Sequence, residues 1–121
     1  MKRINAKIVY YDGDGGGLGA HIRHLGHLEY LKLRYGINIY SVYPNLDVCF
    51  DHNYESYHLR GNERLVLIGD LFNDNETLTD DIISKKFNYC VQNNIVILSG
   101  KHHGPLPWEN LPRLQWIKRK N

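Results

Sequence analysis

Three short stretches hold most of the side chains able to do chemistry. Asp12-Gly13-Asp14 runs into Gly15, Gly16 and Gly17; Gly69-Asp70 is followed by Asp74; and Lys101 precedes His102 and His103. Carboxylates that converge without basic partners repel one another and hold their protons more tightly. A divalent cation removes that conflict, and Asp oxygens with an imidazole suit Mg²⁺ or Mn²⁺, in a one-metal or two-metal site. Such a cation polarises a phosphoryl oxygen and brings the pKa of bound water towards ~7, which supplies a hydroxide nucleophile. The glycines after Asp14 would let backbone N–H groups approach a phosphate, helped by the start of a following helix. Lys101 and His103 would offset phosphoryl charge. The plainer readings are an Asx-turn or helix cap for each Asp and a simple turn for the glycines.

Elements that would position these groups alternate along the chain. Ile8-Val9-Tyr10-Tyr11 reads as a buried strand ending at Asp12. Ile22, Leu25, Leu28, Leu31 and Leu33 follow at near-helical spacing, and Gly36 is placed to cap that helix. A second strand covers Ile37 to Val42, stopped by Pro44. Between Asn45 and Asn62, Val48-Cys49-Phe50 and Tyr54 to Leu59 are candidate edge strands. Leu65-Val66-Leu67-Ile68 reads as the clearest buried strand. A helix from about Glu76 to Gln92 carries Leu78, Ile82, Ile83, Phe87 and Val91 inward. Ile95-Val96-Ile97-Leu98 is the last apolar strand and opens into Ser99-Gly100-Lys101.

This alternation predicts one Rossmann-like α/β domain over residues 1–121, with a mostly parallel sheet and helices on both faces. Ligands of such sheets bind beyond the carboxyl ends of the strands. One rim should therefore carry Asp12/Asp14, Asp70/Asp74 and His102/His103 together.

Composition narrows the class. The chain has 121 residues, 42% of them hydrophobic and 23% charged, enough for an ordinary core without disulfide or metal staples. No apolar run approaches the ~18 residues of a membrane span, and the N-terminus shows no signal-peptide pattern. Cys49 and Cys90 are too few for a disulfide framework and read as buried thiols in a reducing, cytoplasmic setting. Net charge is +2, concentrated at Arg113 and Lys118-Arg119-Lys120, which read chiefly as a solvated end. His21, His24 and His27 recur every three residues and read as a partly exposed stripe on the first helix. Asp51-His52 is a minor metal-pair candidate.

The three stretches resemble the DHH phosphoesterase superfamily. Its first motif, an apolar strand then His-x-Asp-x-Asp-Gly and a helix opened by small residues, is similar to Tyr10-Tyr11-Asp12-Gly13-Asp14-Gly15 with Gly19-Ala20. Its lone Asp after a strand corresponds to Asp70 in Leu67-Ile68-Gly69-Asp70-Leu71, and its Asp-His-His signature falls on Lys101-His102-His103. The resemblance spans about residues 7–109. It implies metal ligation by Asp12, Asp14, Asp70 and His102 and a phosphate contact from His103. It also implies a phosphoesterase using Mn²⁺ or Mg²⁺ on a nucleotide, short oligonucleotide or cyclic nucleotide. Tyr10 stands where the family has a metal-binding His, Lys101 replaces the signature Asp, and Ser99-Gly100 lengthens the third motif. The family's second, substrate-gripping domain has no counterpart here, so a homo-oligomer or partner supplying that surface is an expected assembly, and a non-catalytic member is an alternative.

Two further phosphoesterase families look similar over the same residues. Haloacid-dehalogenase-type phosphatases show Asp-x-Asp-Gly after four apolar residues and a later Gly-Asp-x-x-x-Asp. That reading makes Asp12 a covalent nucleophile, Asp14 the acid/base and Ser41 the phosphate-holding hydroxyl. Calcineurin-like phosphoesterases share Gly-Asp and Gly-Asn-His motifs loosely like Gly69-Asp70 and Gly100-Lys101-His102. From another class, Gly16-Gly17-Leu18-Gly19-Ala20-His21 is similar to the donor loop of two-domain glycosyltransferases, which suggests a half domain or a nucleotide-binding module without chemistry.

Overall fold

The computed structural model describes residues 3–11, 18–41, 54–72 and 77–100, without the side chains of 18–22 and 100. In chain order these form β1 (Lys7–Tyr11), α1 (Leu18–Tyr35), β2 (Asn38–Ser41), β3 (Arg64–Leu67), α2 (Ile68–Leu71), α3 (Asp80–Gln92) and β4 (Ile95–Gly100). The strands make one sheet in the order β2-β1-β4-β3, parallel throughout. The Rossmann-like α/β expectation is met.

Strand order dictates where the helices lie. The β1-α1-β2 and β3-α3-β4 crossovers both step in the same direction across the sheet. Right-handed connections therefore put both helices on one face. The contacts agree: the Arg34 guanidinium and the Tyr35 hydroxyl of α1 donate to the Asp80 carboxylate at the start of α3, and the Tyr35 and Phe87 rings lie 6.4 Å apart. Burial and that bond push the Tyr35 hydroxyl pKa above its usual value. Ile8, Tyr10, Ile39, Ile95 and Ile97 from the strands meet Leu25, Leu28, Leu31, Ile83, Phe87 and Cys90 from the helices in one core. Burial raises the Cys90 thiol to about 11, so this cysteine behaves as an inert apolar group.

The opposite face is crossed by the approach to β3, as a right-handed return from β2 to β3 requires. Among the described residues that crossing, rather than a helix, is its cover. The Tyr57 ring lies 4.8 Å from that of Tyr40, and Lys7 Nζ donates to the Tyr57 hydroxyl and to Glu63 Oε2, at 3.1 and 3.0 Å. Burial pushes the Glu63 carboxyl up, but hydrogen bonds from Tyr57, the Arg60 backbone N–H and Lys7 outweigh it and leave the carboxyl at about 2. A carboxyl lowered on folding stabilises the native state above its unfolded pKa of roughly 4.3. That contribution fades as pH falls towards 2. Glu63→Gln is accordingly expected to lower stability at pH 7 and to flatten its loss between about pH 4 and pH 2, as read from urea midpoints across pH.

Several local expectations change. Leu33 is 70% exposed, because a step of two residues from Leu31 leaves the buried stripe. The strand expected to be most buried is an edge strand, with Leu65 46% exposed, and Ile68 opens α2 instead of extending it. Helix α3 starts at Asp80, not near Glu76: Thr79 caps it by accepting from the Ile82 N–H at 3.2 Å, and residues 77–79 are not helical. Its inner face is Ile83, Phe87 and Cys90, so Val91 points outward. The stretch Tyr54 to Leu59 contributes a single bridge, Ser56 to Ser41, not a strand. Val42, Cys49 and the candidate strand Val48-Cys49-Phe50 lie outside the described residues. Gly36 caps α1 as expected: its φ is +70° and its N–H donates to the Lys32 carbonyl.

Candidate functional site

Parallel pairing puts all four strand ends on one edge of the sheet. The two central strands finish side by side, with Tyr10 opposite Ser99 and Tyr11 opposite Gly100. The chain thus enters residues 12–17 and 101–103 from neighbouring positions. Strand β3, adjacent to β4, ends at Leu67, three residues before Asp70. Asp12, Asp14, Gly15, Gly16, Gly17, Asp74, Lys101, His102 and His103 themselves lie outside the described residues, as do Asp51 and His52.

Asp70 is the described member of the expected ligand set. It sits in α2, exposed, and has no hydrogen-bond or ion-pair partner among the described residues. Beside it opens a cleft of about 290 Å³ lined by Asp70, Leu71, Lys85, Lys86 and Tyr89. Lys86 Nζ donates to the Leu71 carbonyl at 2.6 Å and lies over the Phe72 ring, which pins the turn holding Asp70 to α3. Lys85 pairs with Asp81 one helical turn away at 3.1 Å, both exposed. An exposed pair of this kind contributes little stability and leaves the ammonium free to exchange partners. The cleft therefore sets two ammonium groups and a phenol beside a carboxylate.

A polar cluster lies beneath the strand ends. Register places Ser41, Tyr10 and Ser99 in one row on the helix-covered face. His24 Nε2 and Ser99 Oγ share a hydrogen bond of 2.7 Å, and the His24 and Tyr10 rings stack with centroids 5.3 Å apart. His24, His27, Ser41 and Ser99 are all buried, which corrects the expectation of a partly exposed histidine stripe. The reason is geometric. At about 100° per residue, the buried stretch 24–28 spans the whole circumference of α1, so this turn has no solvent-facing side. The His21 side chain lies outside the described residues.

A Ser–His hydrogen bond is also the arrangement of an activated nucleophile, but a nucleophile must reach substrate. Ser99 is fully buried, so the pair instead ties the end of β4 to α1 and holds the central strand ends in place. The sequence reading names both residues but does not pair them. The available signals were the alternation Ile95, Ile97, Ser99 and the spacing of His24 to Leu28 and Leu31 on the apolar stripe. Ser41, the hydroxyl of the covalent-nucleophile reading, is likewise buried and bonds the Glu55 carbonyl through its backbone N–H. Tyr10, where the resembled motif has a metal-binding His, packs into the core against His24.

Among the described residues no three His, Cys, Asp or Glu side chains gather into a metal site. Nor, among them, is any helix long and apolar enough to cross a membrane. Comparison with protein-family models, with curated proteins and with solved structures finds no match to this chain.

Proposed function

We propose that the chain is a metal-dependent phosphoesterase acting on a nucleotide, a short oligonucleotide or a cyclic nucleotide. The observation that carries this reading is the side-by-side ending of β1 and β4, with Asp70 beyond the adjacent β3. It supports convergence of the acidic pair after β1, the lone Asp after β3 and the histidine pair after β4. The donor types fit a hard divalent cation: Asp12, Asp14 and Asp70 offer oxygens and His102 an imidazole, the set that suits Mn²⁺ or Mg²⁺. Asp70 fits on its own geometry as well, being exposed and without a competing partner among the described residues. A bound cation would polarise the phosphoryl group and activate water.

The chain's own residues have separable tasks under this reading. Backbone N–H groups of Gly15–Gly17 cradle the phosphate, while Lys101 and His103 offset its charge. Lys85, Lys86 and Tyr89, beside Asp70, supply cationic and stacking contacts suited to a nucleotide. Tyr10 faces the core, so it adds no donor at the edge, and the remaining set favours one cation over two.

The test is a hydrolysis screen of linear nucleotides, cyclic nucleotides and short oligonucleotides, with added Mn²⁺ and with chelator, alongside metal analysis of the purified chain. Chelator-sensitive turnover is expected. A protein that takes up no Mn²⁺ or Mg²⁺ and cleaves none of these substrates refutes the proposal.

A further inference from the structure

Strand β2 lies at the edge of the sheet opposite β3, and among the described residues its outer edge is paired at one point alone. In a parallel ladder, alternate residues of a strand turn both backbone groups to the same side. The Asn38 N–H donates to the Ala6 carbonyl of the β1 segment, so Asn38 and Tyr40 bond inward while Ile37, Ile39 and Ser41 face outward. The chain itself shows how this edge is used. Ser41 donates its N–H to the Glu55 carbonyl at 2.8 Å and bridges Ser56 in parallel, the one such bridge to β2 among the described residues. The Ile39 N–H and C=O make no hydrogen bond among the described residues. Ile39 is among the residues lining a cleft of about 630 Å³, together with Arg3, Lys32, Leu33, Arg34, Tyr54 and Glu55.

From this geometry we infer that the β2 edge binds an acidic peptide in extended conformation, which adds to the sheet as a further strand. Strand addition uses backbone bonds for affinity and flanking side chains for selection. Arg3 donates to the Gly36 carbonyl and to Asn38 Oδ1, both neutral, so its charge is not offset by them. Lys32 is exposed and has no ion pair among the described residues. Arg34 is matched by Asp80, which leaves Glu55 against Arg3 and Lys32, and a net positive wall. Leu33, 70% exposed, gives apolar contact in the lining of the cleft. A second copy pairing edge to edge would bring two such basic walls together, and the chain's own basic run, Lys118-Arg119-Lys120, carries the wrong sign.

The experiment titrates the full chain with a blocked peptide of alternating Asp and Val. A Lys/Val counterpart and an Asp/Val peptide N-methylated at alternate amides serve as comparisons. The acidic peptide is expected to bind with an affinity that falls as salt rises, and N-methylation to abolish binding. The Ile39 amide should then exchange its hydrogen about tenfold more slowly. Lys32→Glu, at an exposed position, should weaken binding about fivefold without shifting the thermal transition. Equal binding of the Lys/Val peptide, no binding of any peptide, or unchanged Ile39 exchange in the bound state overturns the inference. So does slow Ile39 exchange in a self-associated chain without peptide, which assigns the edge to a second copy.

Discussion

Asp70→Ala is expected to remove Mn²⁺ uptake and to cut phosphoester hydrolysis by two orders of magnitude or more, roughly the loss typical of a deleted electrostatic partner at a reacting phosphoryl group. The fold should survive. Asp70 is exposed in a four-residue turn and has no hydrogen-bond or ion-pair partner among the described residues, so its removal should change stability by no more than about 0.5 kcal/mol. Calorimetric titration with Mn²⁺ and a thermal melt separate the two effects. The expected pattern is a lost binding isotherm with an unshifted transition. Unchanged Mn²⁺ affinity would detach Asp70 from the cation and undo the ligand assignment drawn from the Gly69-Asp70 motif. Trapping of a phosphoryl mimic on Asp12 would instead favour covalent catalysis by that residue over direct attack by activated water.

How much of this was legible in the sequence depended on whether a residue's environment was set locally. The four strands and two long helices could be read because apolar runs and helical spacing are local signals. Gly36 was legible as a cap because its conformation is a property of that one position. Leu65 departs from its apolar run because burial there depends on strand order, and nothing within Leu65-Val66-Leu67 states that β3 lies at the edge. Acidic and apolar residues before Thr79 continue a helical pattern, whereas the Thr79 cap decides where α3 starts. The recurrence of His21, His24 and His27 every three residues suggests a partly exposed stripe, but His24 is buried. The Ser99 hydroxyl that makes its burial tolerable lies 75 residues away in sequence, beyond the reach of any periodicity argument. The candidate site divides in the same way: strand ends could be located from apolar runs, but which ends are neighbours follows from the 2-1-4-3 order alone.

That order also makes Phe87 the residue whose loss should cost the fold most. It is fully buried where three elements meet, with its ring 6.4 Å from Tyr35 of α1 and 5.6 Å from Phe72, the residue that follows α2. Phe87→Ala should therefore destabilise by about 3–5 kcal/mol, since it forfeits apolar burial and leaves a cavity that three separate elements cannot jointly close. Against a total of roughly 5–15 kcal/mol for a domain of this size, that is a large share of the margin, and urea midpoints should fall accordingly. Phe87→Leu fills most of the volume and should retain more than half of the lost stability. The effect also reaches the candidate site. The Phe72 ring packs at a tilt against Phe87 immediately after the turn carrying Asp70, while the neighbouring Lys86 holds the Leu71 carbonyl. In Phe87→Leu, amides of α2 should consequently exchange faster than those of the central strands β1 and β4, and Mn²⁺ affinity should fall along with that protection. Equal loss of protection across α2 and the central strands would instead mean that the Asp70 turn unfolds only with the whole domain, and that Phe87 has no separate hold on it.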